Sequence, residues 1–146
     1  MAASRYGVPP QEQPLPLDET SLFKPVNIAL LTVSDTRTAE DDTSGNILAE
    51  RIIAAGHNII ERAILRDDTA KITSRLHNWI DDDRIDCVIS TGGTGLTGRD
   101  VTPEALDRVK TKDIPGFGER FRWLSYANIG TSTIQSRECA VLARGT

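Results

Sequence analysis

A run of glycines between a strand pattern and a helix start constrains this chain more than any other feature. Ile85 to Ile89 is a short apolar run rich in β-branched residues, which predicts a parallel strand covered on both faces. Thr102-Pro103-Glu104 predicts a helix start, with Thr102 as the cap and Pro103 at the first helical position. Glycines between them let backbone N–H groups converge on an anion. The pattern therefore predicts a phosphate-binding loop at the end of a parallel strand.

The glycines also match a dinucleotide-binding pattern, but their surroundings argue against it. Gly93-x-Gly95-x-x-Gly98 fits the fingerprint, which needs a helix opening at the third glycine and an acidic residue ending a strand about twenty residues later. Here the helix waits until Thr102, and Asp113 falls in a Pro/Gly-rich turn.

The P-loop frame from Gly93 to Gly98 fails as well. Arg99-Asp100 stand where a lysine and a hydroxyl residue are required. An aspartate in a phosphate cradle indicates instead a metal ion that bridges carboxylate and phosphate, or a proton acceptor.

Three ordered motifs cover the glycine loop and the segment after it: residues 91–95 (TGGTG), 99–105 (RDVTPEA) and 115–119 (PGFGE). They resemble the MoaB/MogA family of molybdenum cofactor biosynthesis, which also includes the gephyrin G domain, and residues 130–137 (GTSTIQSR) are similar to its MoaB branch. The resemblance runs from about Lys24 to the last residue. It implies an α/β fold of three layers, α/β/α, with a mostly parallel central sheet. It also implies binding of molybdopterin and, in active members, its adenylylation with MgATP.

The resemblance also implies a set of site residues. It maps the functional aspartate pair of the family onto Asp67 and Asp100, which we expect to be catalytic and to hold Mg²⁺. The family commonly has proline where Arg66 stands, which changes the stiffness of the loop but not the carboxylate. The expected substrate- and phosphate-binding residues are Ser34, Asp35, Arg37, Thr91, Gly92, Gly93, Thr94, Gly95, Arg99, Ser132 and Thr133.

A second polar cluster follows the first predicted strand, Val26 to Val33. Ser34, Asp35 and Arg37 place a hydroxyl, a carboxylate and a guanidinium at a strand carboxyl end, where open α/β sheets bind ligands. A turn and capping role for Ser34 and Asp35 is the alternative, and residue chemistry alone leaves the two equal. The resemblance favours a wall of the site.

Two helix patterns flank the second predicted strand, Ile59 to Leu65. The first begins at Asp41-Asp42, an acidic pair that complements the helix dipole, and ends at Gly56. Its expected inward residues are Ile47, Leu48, Ile52 and Ile53. The second begins after Asp68, a predicted N-cap, which leaves Asp67 without a structural duty. Its apolar face comprises Ile72, Leu76, Trp79 and Ile80.

Beyond the glycine loop, the spacing of Phe117, Phe121 and Leu124 predicts a further helix after Pro115-Gly116. Ser136-Arg137 is expected to open another helix or a turn. The two histidines, His57 and His77, and the run Asp81-Asp82-Asp83 are interpreted as surface or helix-end residues rather than as catalytic or metal-binding groups.

Composition excludes several classes of protein. The 146 residues suit one domain, and a net charge of −4 with interspersed signs argues against a nucleic-acid surface. Cys87 and Cys139 lie too far apart for a metal motif, and Cys87 in its strand is expected to be a buried thiol in a reducing compartment. No apolar run is long enough to span a bilayer, and no signal-peptide pattern follows Met1. We therefore expect a cytoplasmic protein.

The domain organisation has two parts. Residues 1–23 are expected to form a flexible N-terminal arm, whose apolar residues Leu15, Leu17, Leu22 and Phe23 are available to dock on a neighbouring subunit. Residues 24–146 are expected to form the molybdopterin-binding domain. Family members usually continue past Gly145-Thr146 into a further strand and a Pro-Gly-rich loop, so we expect an exposed sheet edge and an incomplete pocket.

The resemblance, taken together with these residues, implies a molybdopterin adenylyltransferase, with MgATP and molybdopterin as substrates and pyrophosphate released. The molybdopterin phosphate is then the nucleophile, so no protein nucleophile is needed. The alternative is a non-catalytic molybdopterin carrier, and a nucleotide-dependent oxidoreductase is a weaker third possibility. The resemblance alone implies a homo-oligomer, trimer or hexamer, without nucleic acid or membrane partners.

Overall fold

A three-stranded parallel sheet carries the fold. The computed structural model describes residues 21–144 and places the strands in the order β2-β1-β3. They are β1 (Asn27–Val33), β2 (Asn58–Leu65) and β3 (Cys87–Thr91). β1 is buried along nearly its whole length because it pairs with a strand on each side. The first two strands agree with the sequence pattern to within one residue.

Helices cover both faces of the sheet. α1 (Thr43–Ala54) packs on one face, and α2 (Thr69–Ile80) and α3 (Thr102–Val109) pack together on the other. Alternate residues of β1 meet α2 and α3 in one hydrophobic core, whose buried members are Ala29, Leu31, Val33, Ile72, Leu76, Trp79, Ile85, Ala105 and Val109. The predicted three-layer α/β/α architecture is thereby confirmed, as is the core position of Trp79, which is 2% exposed.

The last part of the described chain forms a smaller unit. β4 (Lys112–Asp113) pairs antiparallel with β5 (Val141–Leu142). Between them lie α4 (Pro115–Ile129) and a 3₁₀ helix (Gly130–Gln135). The sequence predicted α4, whereas it placed Asp113 in a turn. Residues 136–140, where a helix or turn was expected, are neither.

The inward face of α1 differs from the prediction. Ile47 and Ile53 are 47% and 64% exposed, and the buried residues are Gly45, Ala49 and Ile52. The helix approaches the sheet so closely that a Cβ at Gly45 would lie 2.7 Å from Thr32 Oγ1 of β1. Two of the three buried residues are therefore small, and Ile47 and Ile53 lie outside the contact.

The third strand begins two residues later than predicted. Ile85 is buried but lies in the turn before the strand, where its N–H donates to Asp82 O at 2.9 Å. β3 pairs only with β1 among the described residues, so it is an edge strand and all its residues are half-buried. Cys87, predicted to be buried, is half-buried for this reason, and burial raises the pKa of its thiol.

Most of the predicted N-terminal arm, residues 1–20 with Leu15 and Leu17, lies outside the described residues. Within the described part, Leu22 is exposed and the Phe23 ring lies 5.3 Å from the ring of His57, centroid to centroid. Between residues 21 and 144, no helix combines the length and the hydropathy that crossing a bilayer would require.

Candidate functional site

The carboxyl ends of the first two strands meet through their loops. Ser34 N–H donates to Leu65 O at 2.8 Å, and Asp67 N–H donates to Asp35 Oδ1 at 3.3 Å. Arg99 reaches over from the glycine loop, with Nη1 3.4 Å from Asp35 Oδ2. Three predicted site residues, Asp35, Asp67 and Arg99, are thus brought together at one edge of the sheet.

Two glycines allow the loop after β3 to approach this edge. Gly92 and Gly93 have φ of 94° and 67°, values that L side chains rarely adopt. A Cβ at Gly92 would lie 2.1 Å from Val33 O, and one at Gly93 would lie 2.8 Å from Asp67 Oδ1. The loop backbone therefore packs directly against the end of β1 and against Asp67.

Thr102 anchors the far end of the loop, in a way that differs from the predicted N-cap. The capping position belongs to Val101, which offers no side-chain cap, and Thr102 lies in the first helical turn. Its hydroxyl donates to Gly92 O at 2.9 Å, and its N–H donates to Gly93 O at 3.0 Å. The prediction was wrong because the hydroxyl satisfies the strained glycine turn instead of the helix end.

Asp67 is the predicted site residue with an unsatisfied atom. Its Oδ1 is buried and has no hydrogen-bond partner in the described structure. Burial raises the pKa of this carboxyl, and the carboxylates of Asp35 and Asp100 raise it further. An ionised Asp67 is therefore electrostatically unfavourable here unless a cation lies beside it.

Asp100 is held in the opposite way. Its Oδ2 accepts from Thr97 N–H at 2.9 Å and from Thr97 Oγ1 at 2.5 Å. These hydrogen bonds keep the pKa of Asp100 below its usual value, so this carboxylate stays charged. The predicted aspartate pair thus combines one stabilised and one destabilised anion.

The oxygen donors suit a magnesium ion, although the described residues include no preformed metal cluster. Nowhere in residues 21–144 do three or more histidine, cysteine, aspartate or glutamate side chains come together as metal ligands. Mg²⁺ usually takes only one or two carboxylates from the protein and completes its shell with water and substrate phosphates. The unpartnered Oδ1 of Asp67 fits that role.

A residue that sequence reasoning did not select organises the loop. Arg137 donates from Nε to Gly95 O at 2.7 Å and from Nη2 to Asp100 O at 2.5 Å, and its Nη1 pairs with Glu104. Its own N–H donates to Thr94 O at 3.2 Å. The motif at 130–137 contained this arginine, but nothing local indicated contacts across 37 and 42 residues of chain.

Among the described residues, no hydrogen bond joins Ser132 or Thr133 to the glycine loop. Both lie in the 3₁₀ helix, where Thr133 is buried and donates from Oγ1 to Gly130 O at 3.1 Å, and Ser132 is exposed. Their link to the loop passes through the segment that follows them, because Thr94 Oγ1 donates to Glu138 Oε1 at 2.9 Å.

The remaining predicted residues have local structural roles. Ser34 Oγ accepts from Thr36 N–H at 3.3 Å and from Arg37 N–H at 3.2 Å, which is the turn role that the sequence left open. Arg37 Nη1 lies 3.5 Å from Asp41 O. Thr91 is the last residue of β3 and is paired with Thr32 of β1. These roles leave their part in ligand binding as a prediction.

An acidic residue with an unexpected burial lies beside this region. Asp42 is 1% exposed, caps α1 by accepting from Gly45 N–H at 3.0 Å, and accepts from Thr32 Oγ1 at 2.7 Å. Arg62 Nη2 lies 3.5 Å from its Oδ2. Asp42 thus supports the packing of α1 on the sheet.

The arrangement defines a class of protein: a three-layer α/β domain in which a glycine loop and acidic residues gather at strand carboxyl ends. Residues 29–144 match the family model described as "Probable molybdopterin binding domain". The chain belongs to this molybdenum cofactor biosynthesis family.

Individual relatives agree with this assignment. The chain is 46% identical to molybdenum cofactor biosynthesis protein B of Escherichia coli (strain K12) over 124 residues, 85% of this chain and 73% of the relative. A crystal structure of molybdenum cofactor biosynthesis protein B superposes with a TM-score of 0.79 at 40% identity, covering 82% of this chain and 75% of the other. Tungsten cofactor synthesizing protein MoaB from Pyrococcus furiosus gives 0.74 at 32% identity, covering 86% and 78%. The MoaB-branch resemblance is confirmed.

Proposed function

We propose that this protein acts in molybdenum cofactor biosynthesis by binding molybdopterin and adenylylating it with MgATP. The family model and the relatives named for this pathway support the molybdopterin ligand. The observation that carries the catalytic part is the buried, unpartnered Oδ1 of Asp67 beside the glycine loop, in a site whose carboxylates repel one another. Such a carboxylate is suited to a divalent cation that arrives with a nucleotide.

In this proposal the glycine loop and the two aspartates have separate tasks. Backbone N–H groups of residues 92–95 hold a phosphate, since the turn leaves no side chain at Gly92 or Gly93 in their way. Asp67 supplies the metal ligand, and Asp100 supports it as the charged neighbour. Bound Mg²⁺ would offset the charge on the ATP phosphates.

The chemical step joins one phosphate to another. A phosphate oxygen of molybdopterin attacks the α-phosphorus of ATP, a new P–O–P linkage forms, and the bond from the α-phosphorus to the bridging oxygen of the β-phosphate breaks. Two arginines offset the charge on the departing pyrophosphate in this proposal: Arg99, which forms an ion pair with Asp35, and Arg37. Positioning and electrostatics supply the catalysis.

The test is pyrophosphate release from ATP with molybdopterin and Mg²⁺. We expect release that requires the pterin and falls at least about 100-fold in Asp67→Asn and in Asp100→Ala. Asp83→Asn is the matched control, because Asp83 is exposed and lies outside the site. A wild-type protein that binds molybdopterin but releases no pyrophosphate would rule out the enzyme.

One observation favours the carrier as the second candidate. Asp100 Oδ2 already accepts two hydrogen bonds from Thr97, so one oxygen of this predicted metal ligand is used to hold the loop itself. If the protein is a carrier, we expect it to bind molybdopterin with an affinity that Mg²⁺ and ATP do not change. Equilibrium binding of the pterin with and without MgATP separates the two.

The family resemblance also supports a cytoplasmic homo-oligomer, trimer or hexamer. α4 exposes a group of large apolar side chains that an assembly would cover: Phe117, Phe121, Trp123, Leu124 and Ile129. Sedimentation equilibrium tests this proposal, and a monomer at micromolar concentration would contradict it.

A further inference from the structure

A cavity with no residue of the glycine loop in its lining lies along the carboxyl-terminal part of β2. Its volume is about 620 Å³, which corresponds to about 20 water molecules at bulk density. It is lined by residues 37–39, in the loop before α1, and by residues 62–66, along β2 and just beyond it. Three of these eight residues are arginines: Arg37, Arg62 and Arg66. We call it the arginine cavity.

The charges that line the arginine cavity are all positive. No acidic residue contributes to its wall, although the whole chain has a net charge of −4. The Arg66 side chain makes no hydrogen bond or ion pair within the described residues, and the Arg37 guanidinium has one long contact there, of 3.5 Å from Nη1 to Asp41 O. Arg62 is partly committed, since its Nη2 bonds to Asn46 Oδ1 at 2.8 Å and lies 3.5 Å from Asp42 Oδ2. At least two guanidinium groups are therefore available to an anion.

The carboxylate of Asp41, whose main-chain oxygen Arg37 contacts, is already engaged by another residue. Asp41 Oδ1 accepts from both the N–H and the hydroxyl of Thr38, which keeps the pKa of Asp41 below its usual value. The other wall is β2, an edge strand in the described sheet, whose outer backbone N–H groups have no strand partner. Guanidinium and backbone N–H donors together suit phosphate oxygens.

The arginine cavity adjoins the candidate site. Arg37 follows Asp35 by two residues, and Arg66 directly precedes Asp67. The two loops are fixed to each other by Ser34 N–H on Leu65 O at 2.8 Å and by Asp67 N–H on Asp35 Oδ1 at 3.3 Å. A phosphate chain that begins at the carboxylates can therefore continue towards the arginines.

We propose that the arginine cavity binds a diphosphate group through Arg37 and Arg66. This inference deepens the proposed function and rests on it for the source of the anion, which is either the β,γ-phosphates of ATP or the released pyrophosphate. The volume accommodates two linked phosphates, and two uncommitted guanidinium groups match their charge. The binding itself requires no turnover.

Isothermal titration with inorganic pyrophosphate, in EDTA and without pterin, tests the inference on the full chain. We expect wild-type binding that weakens about tenfold in Arg37→Gln and about tenfold in Arg66→Gln. Arg108→Gln is the matched control, because Arg108 is exposed on α3 and does not line the cavity; its affinity should stay within about twofold. Arg62 is left intact because it pairs with buried Asp42. Thermal melting confirms that each variant is folded.

Two further ligands locate the source of the diphosphate. The first is an α,β-methylene analogue of ATP. If the two arginine variants bind this analogue and pyrophosphate more weakly to the same extent, the anion is the β,γ-phosphates of the substrate. If they bind the analogue as tightly as wild type does, the anion is the product pyrophosphate. AMP should bind wild type and Arg66→Gln equally, since it carries no diphosphate. Absence of pyrophosphate binding at millimolar concentration, or wild-type affinity in both arginine variants, would overturn the inference. Because no step depends on catalysis, a failure of adenylyl transfer leaves this result readable.

Discussion

Arg137 donates a hydrogen bond from Nη2 to the backbone carbonyl of Asp100 at 2.5 Å. The same guanidinium holds Gly95 O through Nε at 2.7 Å. Two points of the glycine loop, five residues apart in the chain, are thereby tied to one rigid group. The shape of the loop therefore depends on a residue that lies 37 to 42 positions further along the chain.

Replacing Arg137 should loosen the loop and lower the stability of the domain. Arg137→Gln loses charge-assisted bonds to two carbonyls in a half-buried position, and we expect a loss of about 2–4 kcal/mol in the free energy of unfolding. Urea denaturation measures it. Glu104→Gln removes only the partly exposed ion pair and should cost about 1 kcal/mol or less. Equal losses in the two variants would assign the effect to the ion pair instead.

The glycine turn should tolerate no side chain at its first position. Gly92→Ala combines a φ of 94° with a Cβ 2.1 Å from Val33 O, and we expect a loss of about 3 kcal/mol or more. Gly98→Ala is the matched control in the same loop, since a Cβ there meets nothing within 4 Å; it should stay within about 0.5 kcal/mol. A stable Gly92→Ala variant would contradict the described turn.

Local patterns sufficed for the parts of the fold whose determinants lie close together in the sequence. β1 and β2 are apolar or alternating runs, and Asp68 caps α2 through Lys71 N–H as its position predicts. The inward face of α1 was not predictable in the same way. Gly45 rather than Ile47 faces the sheet because Asp42 and Thr32 lie too close to this position for a side chain to fit. That proximity arises from tertiary packing and is not visible in the local sequence.

The part of the site that forms where the carboxyl ends of parallel strands meet was predictable from the sequence. Asp35, Asp67 and Arg99 were expected at one edge of the sheet and meet there. Arg137 and its bonds to the loop were not, because they join segments about forty residues apart and leave no periodic trace. Carbonyl acceptors also have no sequence signature, since every residue carries one.

Removing the hydroxyl of Thr102 should destabilise the loop without changing its helix. Thr102→Val keeps the shape of this 1% exposed side chain but leaves Gly92 O without its donor, which should cost about 1–2 kcal/mol. Thr102→Ser retains the hydroxyl, so it should cost less than the valine variant in the same urea denaturation. A smaller loss for valine than for serine would show that packing, not the hydrogen bond, is the main contribution.

Asp67 should make the metal-free protein less stable as the pH rises. Its pKa is raised in the folded state, so over the window from the ordinary value of 3.8 to the raised one the folded protein binds more protons than the unfolded chain. The favourable contribution is complete below about 3.8 and is lost as the pH climbs through the folded pKa. The free energy of unfolding of Asp67→Asn should therefore increase relative to that of wild type as the pH rises. This difference should become constant above the raised pKa.

Chemical denaturation of both proteins in EDTA, at steps between about pH 2.5 and pH 7, measures this difference in the free energy of unfolding and includes the region below 3.8 where the control changes. Asp68→Asn is the matched control with the opposite sign. Asp68 caps α2 with its Oδ1 3.0 Å from Lys71 N–H, and that bond lowers its pKa, so the variant should lose stability relative to wild type as the pH rises. A difference between wild type and Asp67→Asn that does not change with pH would show that the Asp67 carboxylate is not destabilised by its surroundings, and the argument for a cation beside it would fail.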